Sequence, residues 1–84
     1  MPIIARFYSI LIKMYYIEDE HNPPHIHAKY NEFEGIFNIA TGAMTRGDLP
    51  KNAIRLVKAF ISQHRERLLD MWEHQDFEEL KFKE

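Results

Sequence analysis

Asp48-Leu49-Pro50-Lys51-Asn52-Ala53-Ile54-Arg55-Leu56-Val57 is where this chain of 84 residues changes its period. Beyond Pro50, residues Ile54, Val57, Ile61, Leu68 and Trp72 recur at helical spacing, and Ala53, Leu56 and Phe60 widen them into a broad apolar stripe. Asp48 reads as an N-cap and Pro50 as a first-turn residue, where its missing N–H is not needed. The spacing predicts one helix from about Leu49 to His74. Ser62-Gln63-His64-Arg65-Glu66 interrupts the stripe, so a break near Ser62 is the other way to read this segment. Upstream of Asp48 the period is two. Strands followed by a helix make the fold class α+β.

Working back towards the amino terminus, Met44-Thr45-Arg46-Gly47 fits a short fourth strand or a loop equally well. Phe33 to Ile39 reads as a strand, Asn31-Glu32 as a short turn, and His25 to Tyr30 as the strand before it, so the two make a hairpin. Ile17 to Pro24 is a polar loop. Pro2 to Tyr16 is dominated by β-branched and aromatic residues and reads as extended, with a bend near Ser9. Alternation puts Ile10, Ile12 and Met14 on a buried face, with Leu11, Lys13 and Tyr15 on a partly covered one. The expectation is a single domain over residues 1–84. Strands over about 3–47 make an antiparallel sheet of three to four strands, and the helix over about 49–74 covers one face. A tail over 75–84, with Phe77, Leu80 and Phe82 among charges, docks or frays.

The chain has 45% apolar and 13% aromatic residues, enough for a core, and no cysteine, so disulfides, thiolate metal sites and thiol nucleophiles are excluded. No apolar run reaches membrane-span length and no signal-peptide pattern is present, so the expected location is the cytoplasm, away from membranes. The net charge of −2 hides an uneven distribution: residues 46–67 are basic and the tail is acidic. A domain this small is near the lower limit for a self-sufficient core, which makes a homo-oligomer or a protein partner plausible.

The chemistry concentrates in His21-Asn22-Pro23-Pro24-His25-Ile26-His27-Ala28-Lys29-Tyr30. The two prolines stiffen the approach to the strand. On it, Ile26, Ala28 and Tyr30 point inward while His25, His27 and Lys29 point outward together. Histidine titrates nearest neutrality, so His25 and His27 suit a general acid and base for RNA cleavage, with Lys29 or Arg6 as phosphate contacts. Two other readings stand beside this one. His21, His25 and His27 are candidate metal ligands, and the same histidines are candidate buttresses that hydrogen-bond loop carbonyls. Lys51, Arg55 and Lys58 form a basic helical stripe that suits phosphates, or is simply the solvated face of the helix. His64 reads as a boundary residue, and Met71 and Trp72 as core.

Taken together, Met1-Pro2-Ile3-Ile4, Arg6-Phe7-Tyr8, His21-Asn22-Pro23-Pro24-His25-Ile26-His27-Ala28, Leu49-Pro50, Ala53-Ile54-Arg55-Leu56-Val57, His64-Arg65, Leu68-Leu69 and Trp72-Glu73 resemble a family of small bacterial proteins, domain of unknown function 4160. The resemblance runs from Pro2 to about Trp72. It implies the toxin of a type II toxin–antitoxin pair, partnered by a small antitoxin-like protein encoded beside it. It brings no catalytic assignment and no cofactor. The functions to weigh are therefore a toxin acting on RNA or translation as a ribonuclease, a non-catalytic module that docks its neighbour, and a small histidine-based metal-binding protein.

Overall fold

The computed structural model describes residues 3–15 and 23–83. Strands β1 (Ile3–Phe7), β2 (Ile10–Lys13), β3 (His25–Tyr30), β4 (Phe33–Asn38) and β5 (Met44–Asp48) precede helix α1 (Lys51–His74). The strands lie in sequence order, each antiparallel to the next. This confirms the α+β class and the antiparallel sheet, but with five strands in place of the three or four expected. The extra strand comes from the bend near Ser9. Tyr8 and Ser9 both adopt left-handed backbone, with φ of 47° and 66°, and turn the chain back through a two-residue hairpin. Met44 to Asp48 forms a strand, as the first of its two readings had it. Asn31, also left-handed at φ 53°, makes the turn between β3 and β4.

The register fixes which residues share a face. Ile12, Ala28 and Gly35 align across the sheet, as do Ile10, Tyr30 and Phe33, and Ile26 pairs with Phe37. These residues face α1, and Ile10, Ile12, Ile26, Ala28 and Phe37 are buried. From the helix come Ala53, Val57, Phe60, Ile61, Leu68, Met71 and Trp72, so Met71 and Trp72 are core as expected. Burial of this apolar surface is the dominant stabilising contribution.

Asp48 does not cap the helix. It ends β5, paired with Glu34, while Pro50 takes the capping position with no side-chain bond, and its carbonyl accepts the Ile54 N–H at 3.0 Å. An aspartate committed to a strand ladder is not free to turn its carboxylate onto the helix amides. The irregularity in the helix falls at His64, at φ −125° and ψ 18°, two residues past Ser62, and the helix continues through it. His64 is thus a boundary residue. The kink has a use: the His64 Nε2–H donates to the Lys81 carbonyl at 2.7 Å, and the Gln63 amide both donates to and accepts from the Lys83 backbone.

These contacts dock the tail. Its Leu80 N–H donates to Ile4 O at 2.6 Å on the outer edge of β1, Phe82 stacks on Phe7 with centroids 4.7 Å apart, and Arg67 donates to Glu78 at 2.6 Å. An otherwise open sheet edge is thereby covered. The hydrogen bond from Arg67 lowers the Glu78 carboxyl below its ordinary range; partial desolvation opposes this and the guanidinium charge adds to it. With the folded pKa below the unfolded one, this pair stabilises the docked tail above the ordinary glutamate range, and its contribution is lost as pH falls through the folded value. Amide exchange at Leu80 should therefore accelerate on acidification beyond the intrinsic pH effect, and Glu78→Gln should remove that acid limb. An acid limb of the same size in Glu78→Gln would show that the pair does not hold the tail.

Candidate functional site

The face of the sheet opposite α1 carries the outward set of β3. Lys13, His27, Ile36 and Arg46 line up across four strands, and Arg6, Leu11, Lys29, Glu34 and Asp48 make the neighbouring row across five. Direct cross-strand partners on one face sit within side-chain reach. His25, His27 and Lys29 therefore share this face, as the alternation required, and pairing through Leu11 brings Arg6 onto it. Lys51, Arg55 and Lys58 are exposed on the solvent side of α1, across the sheet from the histidines, with Arg55 donating to Asn52 at 3.2 Å.

His25 sits at the end of the sheet. Its Nδ1 lies 2.8 Å from Pro23 O, and a carbonyl only accepts, so Nδ1 carries the proton and Nε2 bears the lone pair of the neutral ring. The ring also packs against Trp72 at a centroid distance of 4.9 Å. The loop-buttress reading thus applies to His25 through a named bond. His27, one pleat along, has its centroid 5.3 Å from that of His25, and Tyr15 meets its ring edge-on at 4.5 Å. Its Nδ1 is 3.7 Å from Glu34 Oε2, within ion-pair range but beyond a hydrogen bond. The His27 side chain is only 13% exposed.

Two residues beside His27, Lys13 and Glu34, were not among the candidates read from the sequence. Tyr15 and Glu34 touch or approach the ring, and Lys13 is its direct partner across β2 and β3. The signal for Lys13 was the parity it shares with Leu11 and Tyr15, which singles it out only once the β2–β3 register is known, and Glu34 joins through its pairing with Lys29.

His21 lies outside the described residues, so the metal reading loses its third ligand from view. Among the described residues no three His, Asp or Glu side chains gather as metal ligands would. Cavities open beside the tail (Arg6, Phe7, Tyr8, Leu80, Phe82), along the helix kink (Gln63, His64, Arg67), and under the helix start (Tyr8, Tyr30, Pro50, Leu56). None of these three is lined by His25 or His27. Among the described residues no helix is long and apolar enough to cross a membrane.

A family model described as domain of unknown function (DUF4160) matches residues 9–73, well over half of the chain. The chain belongs to this family. The DUF4160 match takes in both histidines, Lys13, Glu34 and nearly all of α1, and starts just after the Met1–Tyr8 stretch. No curated protein and no solved structure matched.

Proposed function

We propose that this DUF4160 chain is the toxin of a bacterial two-protein module and acts on RNA through the sheet face bearing His25 and His27. The observation that supports this is the pairing of the two imidazoles, 5.3 Å apart, on one face with Lys29 and Arg6. In the reaction such a pair suits, one imidazole takes the proton of a ribose 2′-hydroxyl as its oxygen bonds the adjacent phosphorus. The P–O5′ bond breaks, and the other imidazole, as imidazolium, gives its proton to the departing oxygen. The products are a 2′,3′-cyclic phosphate and a 5′-hydroxyl. Cations beside the phosphorus stabilise the charge that builds on its oxygens.

A second reading is favoured by a different observation. Leu11 and Ile36, both half-buried, are the direct cross-strand partners of Lys29 and His27, which gives the histidines an apolar border suited to a docked protein. In this reading the face is the seat of the neighbour-encoded partner and cleaves nothing.

Induced expression in a bacterial host separates the two. Wild type is expected to arrest growth, and His25→Ala/His27→Ala, with its fold verified by circular dichroism, is expected not to. Arrest by both would move the active face elsewhere. Arrest by neither would leave the docking module as the reading.

A further inference from the structure

The tail that follows α1 is gripped by its backbone from two sides. On the β1 side, Leu80 N–H donates to Ile4 O at 2.6 Å. On the other side the helix kink supplies the partners. His64 Nε2–H donates to Lys81 O at 2.7 Å, and the Gln63 amide accepts from Lys83 N at 2.7 Å and donates to Lys83 O. Alternate side chains add to this hold: Glu78 pairs with Arg67, Leu80 packs against the core, and Phe82 stacks on Phe7 and meets Tyr8 edge-on. Main-chain bonds along a sheet edge, with alternate side chains seated beside it, are how a groove receives an extended segment of another chain. β1 and the kink make such a groove, and the chain's own tail fills it. The seat is not sealed, because a cavity opens between Arg6, Phe7 and Tyr8 and the tail residues Glu79 to Phe82. The chain leaves the helix at Gln75, left-handed at φ 55°, before these anchors begin. A non-glycine residue holds that conformation at a cost, which makes Gln75 the hinge of the tail.

We propose that this groove takes the tail of a second copy of the chain, so that two chains dimerise by exchanging tails. The charge distribution fits that occupant. Residues 46–67 are basic and the tail is acidic, so the tail of one copy is drawn to the helix of another. An exchanged pair remakes each of these bonds between chains. Its cost is then the lost independent motion of two molecules, and straightening Gln75 offsets part of it. The groove lies at the β1 edge and the helix kink, so none of this depends on what His25 and His27 do.

Two full-length variants provide the test. In Arg67→Glu the groove repels Glu78, and in Glu78→Arg the tail repels Arg67. Each variant clashes with itself, but tail and groove of the two complement each other in both directions. Light scattering across a concentration series should find each variant monomeric alone, with its fold verified by circular dichroism. Their equal mixture should dimerise about tenfold more tightly than wild type does with itself, since both repulsions are relieved. Wild type should pass from monomer to dimer as concentration rises, and Arg67→Glu/Glu78→Arg, which restores the pair within one chain, should match it. A mixture that stays monomeric overturns the proposal. So does a mixed dimer that survives Leu80→Ala/Phe82→Ala in both chains, because the contact then lies elsewhere. Wild type monomeric at every concentration overturns it as well. If the folded Leu80→Ala/Phe82→Ala chain then binds a synthetic peptide of residues 76–84, the tail is instead a strap that a partner's extended segment displaces.

Discussion

Gly47→Ala is expected to destabilise the fold by about 3–5 kcal/mol, a large share of the whole stability of a domain this size. Gly47 sits in β5 at φ +91°, a conformation that L side chains rarely adopt. An added methyl would overlap the Glu34 carbonyl oxygen and come within 2.7 Å of Gly35 Cα, both backbone atoms of the paired strand, so no side-chain rotation relieves it. Either β5 lifts off β4 or the ladder shifts. A shift moves Arg46 and Asp48 out of the rows they share with His27 and Lys29. Gly42 is the control: it too has positive φ, at +78°, but the nearest atom to an added methyl is on the Arg65 guanidinium at 3.4 Å, an ordinary van der Waals contact. Gly42→Ala should cost about 1 kcal/mol. Urea unfolding followed by circular dichroism measures both. Equal, small losses in the two variants would mean that β5 does not pack against β4 in this register.

Most of this fold was legible because β2, β3 and β4 bury alternate residues along one face and α1 carries a broad apolar stripe. A one-residue slip in β3 would send Ile26 and Ala28 to solvent and His25 and His27 into the core, so composition alone selects the parity. The Tyr8–Ser9 hairpin was legible only as a bend, since neither residue is the Gly, Asn or Asp that marks a left-handed turn. Asp48 was misassigned because a cap and a strand end look alike locally, and its pairing with Glu34 decides between them from a distance. The kink falls at His64 and not at Ser62 because the tail carbonyls are what His64 and Gln63 reach, a contact spanning 17 to 20 residues. The candidate site divides in the same way. His25, His27 and Lys29 lie within one strand and could be grouped from spacing. Lys13, Tyr15 and Glu34 join them only through the pairing of β2, β3 and β4, which no local pattern encodes.

Single substitutions at the two histidines should separate chemistry from scaffolding, and the functional effect is expected to be the larger. If the open face cleaves RNA as proposed, His27→Ala should slow cleavage by about 10²–10⁴-fold, the usual worth of a general acid or base, at a stability cost of only about 1 kcal/mol. His25→Ala should lose function too, but for mixed reasons. It removes the Nδ1–H···O bond to Pro23 and the contact with Trp72, together about 1–2 kcal/mol of stability. His25→Asn resolves the mixture, because an asparagine amide placed near the position of Nδ1 still donates to the Pro23 carbonyl but has no titratable nitrogen. Stability restored to wild type without activity assigns His25 to the chemistry. Stability and growth arrest both restored would make it a buttress, leaving His27 as the only histidine of the pair in the reaction, with its acid or base partner to be sought among Lys13, Tyr15 and Glu34. Full activity in a folded His27→Ala would remove this face from the reaction altogether.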